Sequence, residues 1–294
     1  MNIAVYCRRV IKRDEAFLKG FFTHLEKLRW NPIIEKDFHK QLVDRIGICN
    51  DASTFSSYKD MESGIDMAIS IGGDGTFLKM VGYIRSSGIP VMGINTGRLG
   101  FLANIPTESF EEKLAFVKKK QYVFQKRSLL RIETEESIFG DQNFAFNEMT
   151  VHKKDTSSMI TVHASIDGNY LNSYWADGLI ASTPTGSTAY SLSCGGPIIT
   201  PGCQVHILTP IAPHNLNVRP VVVPDHLPIE LTVEGRDRKY LLTLDSDSKA
   251  VKNGTKITLY KADFMINVFK FEENNFLDTI RNKMMWGLDK RNEY

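Results

Sequence analysis

The sequence predicts a two-domain protein in which an N-terminal α/β domain precedes a mostly antiparallel β domain. The chain has 294 residues, about twice the commonest domain size of roughly 100–150 residues. Short apolar runs alternate with helical periodicity up to about residue 125. From about residue 126 apolar and polar side chains alternate one by one, which is typical of half-buried strands. The expected domains are therefore residues 1–125 and 126–274.

Strands and helices alternate along the first domain, which indicates a mainly parallel, Rossmann-like sheet. Three buried strands are predicted, at Ile3–Val5, Met67–Ile71 and Val91–Ile94. One helix has apolar residues at 3.6-residue spacing between Phe17 and Leu28, and another starts at about Thr76. A further helix is expected after Ser109, because Ser109 and Glu112 have the spacing of a capping box.

The second domain is predicted to be built from strands and hairpins. Asp167-Gly168 follows the alternating run Ile160–Ile166, and Asp-Gly in that context predicts a two-residue hairpin turn. Separate strands are predicted around Ile257 and over residues 264–271. Helical spacing then returns at Leu277, Ile280, Met284 and Leu288. We expect this last helix, within residues 275–294, to pack back on the first domain, since a β domain offers it no obvious partner.

Composition argues against several classes of protein. Lys and Arg number 36 and Asp and Glu 34, so the net charge is +2, too balanced to indicate a nucleic-acid or membrane-surface protein. There is no apolar run of about 18 residues, and the short apolar start does not resemble a signal peptide. The four cysteines and seven histidines form no zinc or disulfide pattern. A cytoplasmic protein without a metal held by its own side chains is expected.

A glycine turn, Gly72-Gly73-Asp74-Gly75-Thr76, lies between a predicted strand and a predicted helix. Glycines let the backbone approach a ligand closely, and the N–H groups of a helix N-terminus favour phosphate. Gly72, Gly73 and Thr76 are therefore candidates for binding a phosphate donor. A carboxylate repels phosphate, so Asp74 suits proton acceptance or metal coordination. The alternative is that Asp74 is only a helix N-cap.

A second glycine turn, Asn95–Leu102, follows the next strand. The carboxyl ends of neighbouring parallel strands lie at the same edge of a sheet, where open α/β sheets bind ligands. Arg98 in this turn is a candidate contact for the donor phosphate. It could equally be a solvent-exposed loop arginine.

The stretch Asp177–Ser193, continued by Gly195-Gly196-Pro197, is rich in small hydroxyl residues and glycines. Such residues make a poor core, but they present hydrogen-bonding groups at close range to a polar ligand. Asn147-Glu148, at the start of another run, could hold a diol through its amide and carboxylate. Taken without context, the stretch could be an extended loop and the Asn-Glu pair a surface feature.

Together these motifs resemble the NAD kinase family in order and spacing. The matching segments are Gly72–Thr76, Asn95–Leu102, Asn147-Glu148, Asp177–Ser193 with Gly195-Gly196-Pro197, and Pro210–Pro220. The resemblance covers nearly the whole chain. It implies transfer of the terminal phosphoryl group of ATP, or in some members of polyphosphate, to the 2′-hydroxyl of the adenosine ribose of NAD, giving NADP.

The resemblance also implies roles for individual residues. Asp74 would accept the hydroxyl proton. The residues implied to bind NAD are Asp74, Gly75, Lys79, Asn147, Glu148, Trp175, Asp177, Thr188, Ala189, Tyr190, Ser191, Leu192, Ser193, Ala212 and Asp247. Two of them depart from the family pattern. Trp175 stands where many members have a basic or small residue, and Asp247 ends a segment, Asp245-Ser246-Asp247, where many have Asp-Gly-Gln.

Partners and alternatives follow from the same resemblance. Mg²⁺ would enter chiefly on ATP, and a homodimer or homotetramer is expected, with neither nucleic acid nor membrane as partner. A lipid kinase of the diacylglycerol or sphingosine type shares the glycine turn, but it would need an apolar pocket for acyl chains. A non-catalytic dinucleotide sensor could keep the NAD loops, but it would have no use for Asp74.

Overall fold

The computed structural model describes residues 1–61, 64–154, 158–272 and 275–286. The chain divides into two compact units. The first comprises Met1–Lys126 together with the residues from Ile266 onward, and the second comprises Arg127–Met265. The predicted fold class, α/β followed by mostly antiparallel β, is confirmed. No helix among the described residues has the length and apolar character that crossing a membrane requires.

The first unit is built on a parallel sheet. Its strands are β1 (Asn2–Cys7), β2 (Asn31–Glu35), β3 (Ser53–Phe55), β4 (Met67–Ile71), β5 (Val91–Asn95) and the short β6 (Ile105–Pro106). Five of them run in the order β5-β4-β1-β2-β3, all parallel, and β6 pairs with β5. Every residue of β4 and β5 is buried, as expected of central strands covered on both faces.

Four helices connect or follow these strands. They are α1 (Glu15–Leu28), α2 (Lys36–Ile46), α3 (Asp74–Ile84) and α4 (Phe110–Lys118). The helix α1 buries Leu18, Phe21, Phe22 and Leu25 on one face, which is the predicted 3.6-residue stripe. The predicted capping box at α4 is wrong. A 3₁₀ turn over Thr107–Ser109 gives Ser109 helical backbone angles, whereas a capping side chain needs an extended residue.

The second unit contains two sheets of mainly antiparallel strands. In chain order the strands are β7 (Val123–Thr134), β8 (Phe144–Ala145), β9 (Glu148–His152), β10 (Ile160–Ile166), β11 (Asn169–Ala176), β12 (Gly178–Ser182), β13 (Val205–Ile211), β14 (Val221–Pro224), β15 (Ile229–Gly235), β16 (Lys239–Leu244), β17 (Asp247–Lys252) and β18 (Ile257–Lys270). One sheet has the order β14-β13-β12-β9-β16-β17, and in the other β11, β10, β15 and β18 are neighbours. Apolar side chains from both sheets form one buried cluster.

The predicted hairpin at Asp167-Gly168 is confirmed. The strands β10 and β11 are antiparallel and Ile166 pairs with Asn169, so the loop has two residues. Both have positive φ, 49° at Asp167 and 75° at Gly168, which is the conformation that the Asp-Gly pair favours in a tight hairpin.

The last elements differ in part from the prediction. Residues 257–270 form the single strand β18 rather than two strands. Its start pairs with β15 in the second unit, and Val268 pairs with Val91 in the first. The helix α6 (Phe276–Met284) follows and belongs to the first unit. Within that unit the Nζ of Lys283 lies 4.7 Å from the ring centroid of Phe101. Leu288, assigned to this helix from the sequence, lies outside the described residues.

Candidate active site

The turn between β4 and α3 is an open helix N-terminus. Gly72 has φ 145°, and a Cβ there would lie 2.5 Å from Oγ1 of Thr76, so only glycine fits. Its N–H donates to the carbonyl of Ile94, which ties the turn to the neighbouring strand. Gly73 is the N-cap and α3 begins at Asp74. Gly73 and Gly75 are exposed, leaving backbone available to a ligand.

The Asp74 carboxylate is held by the second glycine turn. Its Oδ1 accepts the N–H groups of Leu102 at 3.0 Å and Ala103 at 2.9 Å, and its Oδ2 accepts that of Phe101 at 3.0 Å. A Cβ on Gly100 would overlap this carboxylate, so the close approach requires glycine. The N-cap alternative is wrong, because Asp74 is the first residue within α3 and its side chain bonds outside the helix.

The rest of the second turn is shaped by Asn95. Its Oδ1 accepts the N–H of Gly97 at 2.7 Å, and its Nδ2 donates to the carbonyl of Ala103 at 3.2 Å. Arg98 is exposed. Lys79 is exposed too, and its Nζ lies 5.6 Å from the Tyr83 ring centroid. The first unit thus brings Asp74 together with the amides of residues 101–103.

In the second unit Asn147 and Glu148 stand at the start of β9. Both residues are buried, with 7% and 8% of their surface exposed. Asn147 Oδ1 and Glu148 Oε2 are enclosed and have no hydrogen-bond partner among the described residues. Unpaired buried polar atoms are costly in a folded protein. Two such acceptors on adjacent residues make this position a candidate site for a polar ligand.

Asp245 fixes the backbone of this pair. Its Oδ1 accepts the N–H groups of Asn147 at 2.8 Å and Glu148 at 3.1 Å, and its Oδ2 accepts that of Phe146 at 2.8 Å. Asp245 has φ 50°, a left-handed conformation that aspartate tolerates in tight turns. Asp247, the residue chosen from the sequence, is exposed on β17, with Lys249 Nζ 3.6 Å from its Oδ1.

Burial raises the pKa values of the two neighbouring acids Glu148 and Asp245. Burial and, secondly, the Asp245 carboxylate raise the pKa of Glu148 to about 8, while the Tyr190 backbone N–H opposes the increase. Burial also raises the pKa of Asp245, and its three backbone N–H bonds partly offset that effect. A neutral Glu148 can donate a proton to a hydrogen bond as well as accept one.

The loop that follows β12 packs on the same backbone. The N–H of Thr183 donates to the carbonyl of Asn147 at 2.9 Å, and a Cβ on Gly186 would overlap the Asn147 backbone. Beyond them lies the short helix α5 (Tyr190–Ser193), where Ser191 Oγ is 2.8 Å from Thr209 Oγ1. The loop and the Asn-Glu pair are therefore packed directly against each other within this unit.

Three further candidates lie near the ends of β11 and β13. The Lys153 Nζ is 2.6 Å from Asp177 Oδ1. The Trp175 side chain is half exposed, and its ring centroid is 5.0 Å from that of His214. Ala212 has φ 44°, an uncommon conformation for a residue other than glycine and one that often marks functional sites. In the described ranges no group of three His, Cys, Asp or Glu side chains is arranged to hold a metal.

Comparison with known proteins decides the family. A model of the ATP-NAD kinase N-terminal domain matches residues 34–122, and one of the ATP-NAD kinase C-terminal domain matches residues 146–271. The NAD kinase of Flavobacterium psychrophilum is 48% identical over 294 residues, covering 99% of this chain and 100% of the relative. The chain belongs to the NAD kinase family. The NAD kinase of Cytophaga hutchinsonii is 44% identical over 293 residues, with the same coverage of both chains.

Solved NAD kinase structures share the fold. Yeast NADH kinase complexed with NADH superposes with a TM-score of 0.85 at 23% identity, covering 98% of this chain and 88% of that one. An NAD kinase from Archaeoglobus fulgidus in complex with ATP gives a TM-score of 0.75 at 26% identity, covering 97% and 99%.

Two residues that shape this candidate site, Gly100 and Asp245, were not identified from the sequence. Gly100 lies within a segment that sequence analysis singled out, but the reason for its glycine, the Asp74 carboxylate, comes from another part of the chain. Asp245 lies two residues before Asp247, which stays a predicted NAD contact, and its own bonds to residues 146–148 were not predicted. A signal did exist, since an aspartate between two alternating strands is a common turn residue.

Titration of Glu148 gives a testable pH dependence of stability. The carboxyl has a pKa of about 8 in the folded chain against about 4.3 in an unfolded chain. Between these values the folded state keeps a proton that the unfolded state has lost, so the free energy of unfolding falls as pH rises, by at most about 1.4 kcal/mol per pH unit. Urea unfolding between about pH 5 and about pH 8 should show this fall in the native chain and a flatter profile in Glu148→Gln. Parallel profiles would contradict the assignment.

Proposed function

We propose that this chain transfers the terminal phosphoryl group of ATP to the 2′-hydroxyl of the adenosine ribose of NAD, forming NADP. The observation that carries the proposal is the pair of buried acceptors on Asn147 and Glu148 in the second unit, which have no partner among the described residues. The first unit separately holds the Asp74 carboxylate at a glycine turn. A dinucleotide supplies hydroxyl and amino donors for the buried acceptors. Phosphoryl transfer to a hydroxyl requires a group that accepts the hydroxyl proton, and the carboxylate is suited to that role.

Asp74 is proposed as the general base. An ionised carboxylate has about four lone-pair sites, two on each oxygen. Three backbone N–H groups use both sites of Oδ1 and one site of Oδ2. Oδ2 thus keeps one site for the substrate hydroxyl. As the ribose oxygen bonds to the γ-phosphorus, the bond from that phosphorus to the bridging oxygen breaks and ADP leaves. The hydroxyl proton passes to Asp74.

The donor phosphates are proposed to lie against the turn Gly72–Thr76. Its exposed glycines and the N-terminus of α3 offer backbone N–H groups, and the helix dipole favours negative charge. Arg98, which is exposed, is available to the same phosphates. Mg²⁺ is proposed to arrive with ATP, bound mainly by phosphate oxygens and water.

The family resemblance implies the other dinucleotide contacts that we propose. In the second unit they are Trp175, Asp177, Ala212 and the run Thr188–Ser193, and in the first unit they are Gly75 and Lys79. A homo-oligomer, which the family resemblance implies, and a cytoplasmic location, which the composition predicts, complete the proposal. The lipid kinase and sensor alternatives are not supported, since both matching family models describe ATP-NAD kinases.

An assay of NADP formation tests the reaction. Purified protein with NAD, ATP and Mg²⁺ is expected to produce NADP, measured with an NADP-specific dehydrogenase. Parallel reactions with polyphosphate instead of ATP, and with diacylglycerol or sphingosine instead of NAD, define donor and acceptor. Lipid phosphorylation without NADP formation would overturn the proposal, as would NAD binding without any turnover.

A further inference from the structure

One arginine of the second unit is buried without an acidic partner. Arg127, on β7, has 9% of its surface exposed. Its Nη1 donates to Thr185 Oγ1 at 3.3 Å, and its Nε is enclosed without an acceptor. Among the described residues, Thr185 is the only one that accepts a hydrogen bond from this guanidinium. The five N–H donors of the guanidinium are therefore largely unused.

Another arginine on the same strand shows the usual arrangement. Arg131 lies four residues further along β7, and therefore on the same face of the strand. Its guanidinium is 3.1 Å from Glu133 Oε1 and 3.9 Å from Asp263 Oδ2. Thus Arg131 is compensated by two carboxylates, and Arg127 by one neutral hydroxyl.

An uncompensated buried charge is unfavourable. Removing a cation from water without pairing it costs free energy that a single neutral hydrogen bond does not return. Burial lowers the pKa of Arg127 to about 10, so the guanidinium remains protonated at neutral pH. The folded chain therefore keeps a positive charge here for which the described residues provide no negative one.

Arg127 contacts the loop that we assign to nucleotide binding. Thr185 lies between Thr183, which donates to the Asn147 carbonyl, and Gly186, which packs on the Asn147 backbone. A ligand that pairs with Asn147 and Glu148 therefore sits against the loop that Arg127 supports. The ligands of the proposed reaction carry phosphates, and a guanidinium matches phosphate oxygens in a bidentate geometry.

We propose that Arg127 binds a phosphate oxyanion of the bound nucleotide and is the cationic phosphate contact of the second unit. This inference rests on the proposed function, because the loop is assigned to nucleotide binding there. The shared chemistry is a phosphate diester or anhydride, which either the pyrophosphate of NAD or the triphosphate of ATP can supply.

Calorimetric titration of Arg127→Met tests the inference. Methionine fills much of the same apolar volume without charge or donors. The dissociation constant for NAD or for ATP-Mg should rise at least about tenfold, as expected for one lost charge-assisted hydrogen bond. The dissociation constant for adenosine, which has no phosphate, should stay within about twofold. Arg131→Met, which removes the compensated arginine of the same strand, should leave all three constants unchanged.

Each result has a defined meaning. A loss confined to NAD assigns Arg127 to the dinucleotide pyrophosphate, and a loss confined to ATP-Mg assigns it to the donor. Unchanged affinities for both, or an equal loss for adenosine, would overturn the inference, the latter because the arginine would then only shape the loop. Native protein that binds no NAD would instead refute the proposed function.

A second variant protects the test against misfolding. Arg127→Lys keeps the charge but loses the planar set of donors. It should weaken the same ligand by a smaller factor and leave adenosine unaffected. If Arg127→Met does not fold, native affinities in the lysine variant would be the overturning result.

Discussion

Replacing Asp74 by asparagine is expected to lower kcat by about 10²–10⁴-fold, the range for a positioned general base, equivalent to about 3–5 kcal/mol in the barrier. Asparagine cannot take the hydroxyl proton, yet its amide can still meet the hydroxyl, so the dissociation constant for NAD should change little. Single-turnover rates with ATP-Mg and calorimetric titration with NAD measure the two quantities separately. Near-native turnover in the variant would show that Asp74 is not the general base.

The structure adds a stability effect to this substitution. One carboxylate oxygen becomes an NH₂ group that faces a backbone N–H of residues 101–103, so the variant should also lose about 1–3 kcal/mol of stability. Asp60→Asn is the matched control, because Asp60 Oδ2 accepts the N–H groups of Ser56 and Ser57 in another turn of the same unit. It should lose stability without losing the single-turnover rate. If both variants lose rate in proportion to stability, the role of Asp74 is structural.

Truncating Glu148 to alanine is expected to raise KM for NAD by about five- to 150-fold, the cost of roughly 1–3 kcal/mol for leaving a buried polar group of the ligand without its hydrogen-bond partner. KM for ATP should change far less. The reason is that Glu148 Oε2 has no partner among the described residues and is proposed to bind the dinucleotide. Initial-rate kinetics with each substrate varied in turn measure the two constants.

Glu230→Ala serves as the control for this prediction. Glu230 lies on β15 of the same unit, with Lys256 Nζ 2.6 Å from its Oε1, and it has no assigned role. Its removal should leave both Michaelis constants unchanged. Equal increases of both constants in Glu148→Ala would indicate a general distortion of β9 rather than a lost NAD contact.

Local sequence patterns predicted those parts of the molecule that local forces determine. The Asp-Gly pair at 167 and 168 supplies the two positive φ angles of its hairpin, and buried runs such as Met67–Ile71 became central strands. The glycine turn at residues 72–75 was recognisable because a strand and a helix flank it closely. In each case the residues that determine the conformation lie within a few positions of one another.

Individual contacts between distant residues could not be predicted. The sheet edge predicted that the two glycine turns lie together, but no pattern in the sequence identified the N–H groups, 27–29 residues away, that bind Asp74. Ser109 had the right spacing for a cap, but the preceding 3₁₀ turn gave it the wrong backbone angles. The unpaired charge of Arg127 was invisible for the same reason, since burial and the absence of a carboxylate among described neighbours are tertiary properties.

The bonds of Asp245 have a consequence for the order in which the chain acquires its binding groups during synthesis. Asp245 holds the N–H groups of Phe146, Asn147 and Glu148 across 97–99 residues, whereas the corresponding bonds of Asp74 close loops of fewer than 30. Contacts between residues far apart in sequence form late, and a ribosome releases only about 5–20 residues per second. The Asp74 turn is therefore complete in sequence several seconds before Asp245 has been translated. Until then the nascent chain lacks the residue that orients Asn147 and Glu148, so the proposed dinucleotide site is completed only after residue 245 has been translated.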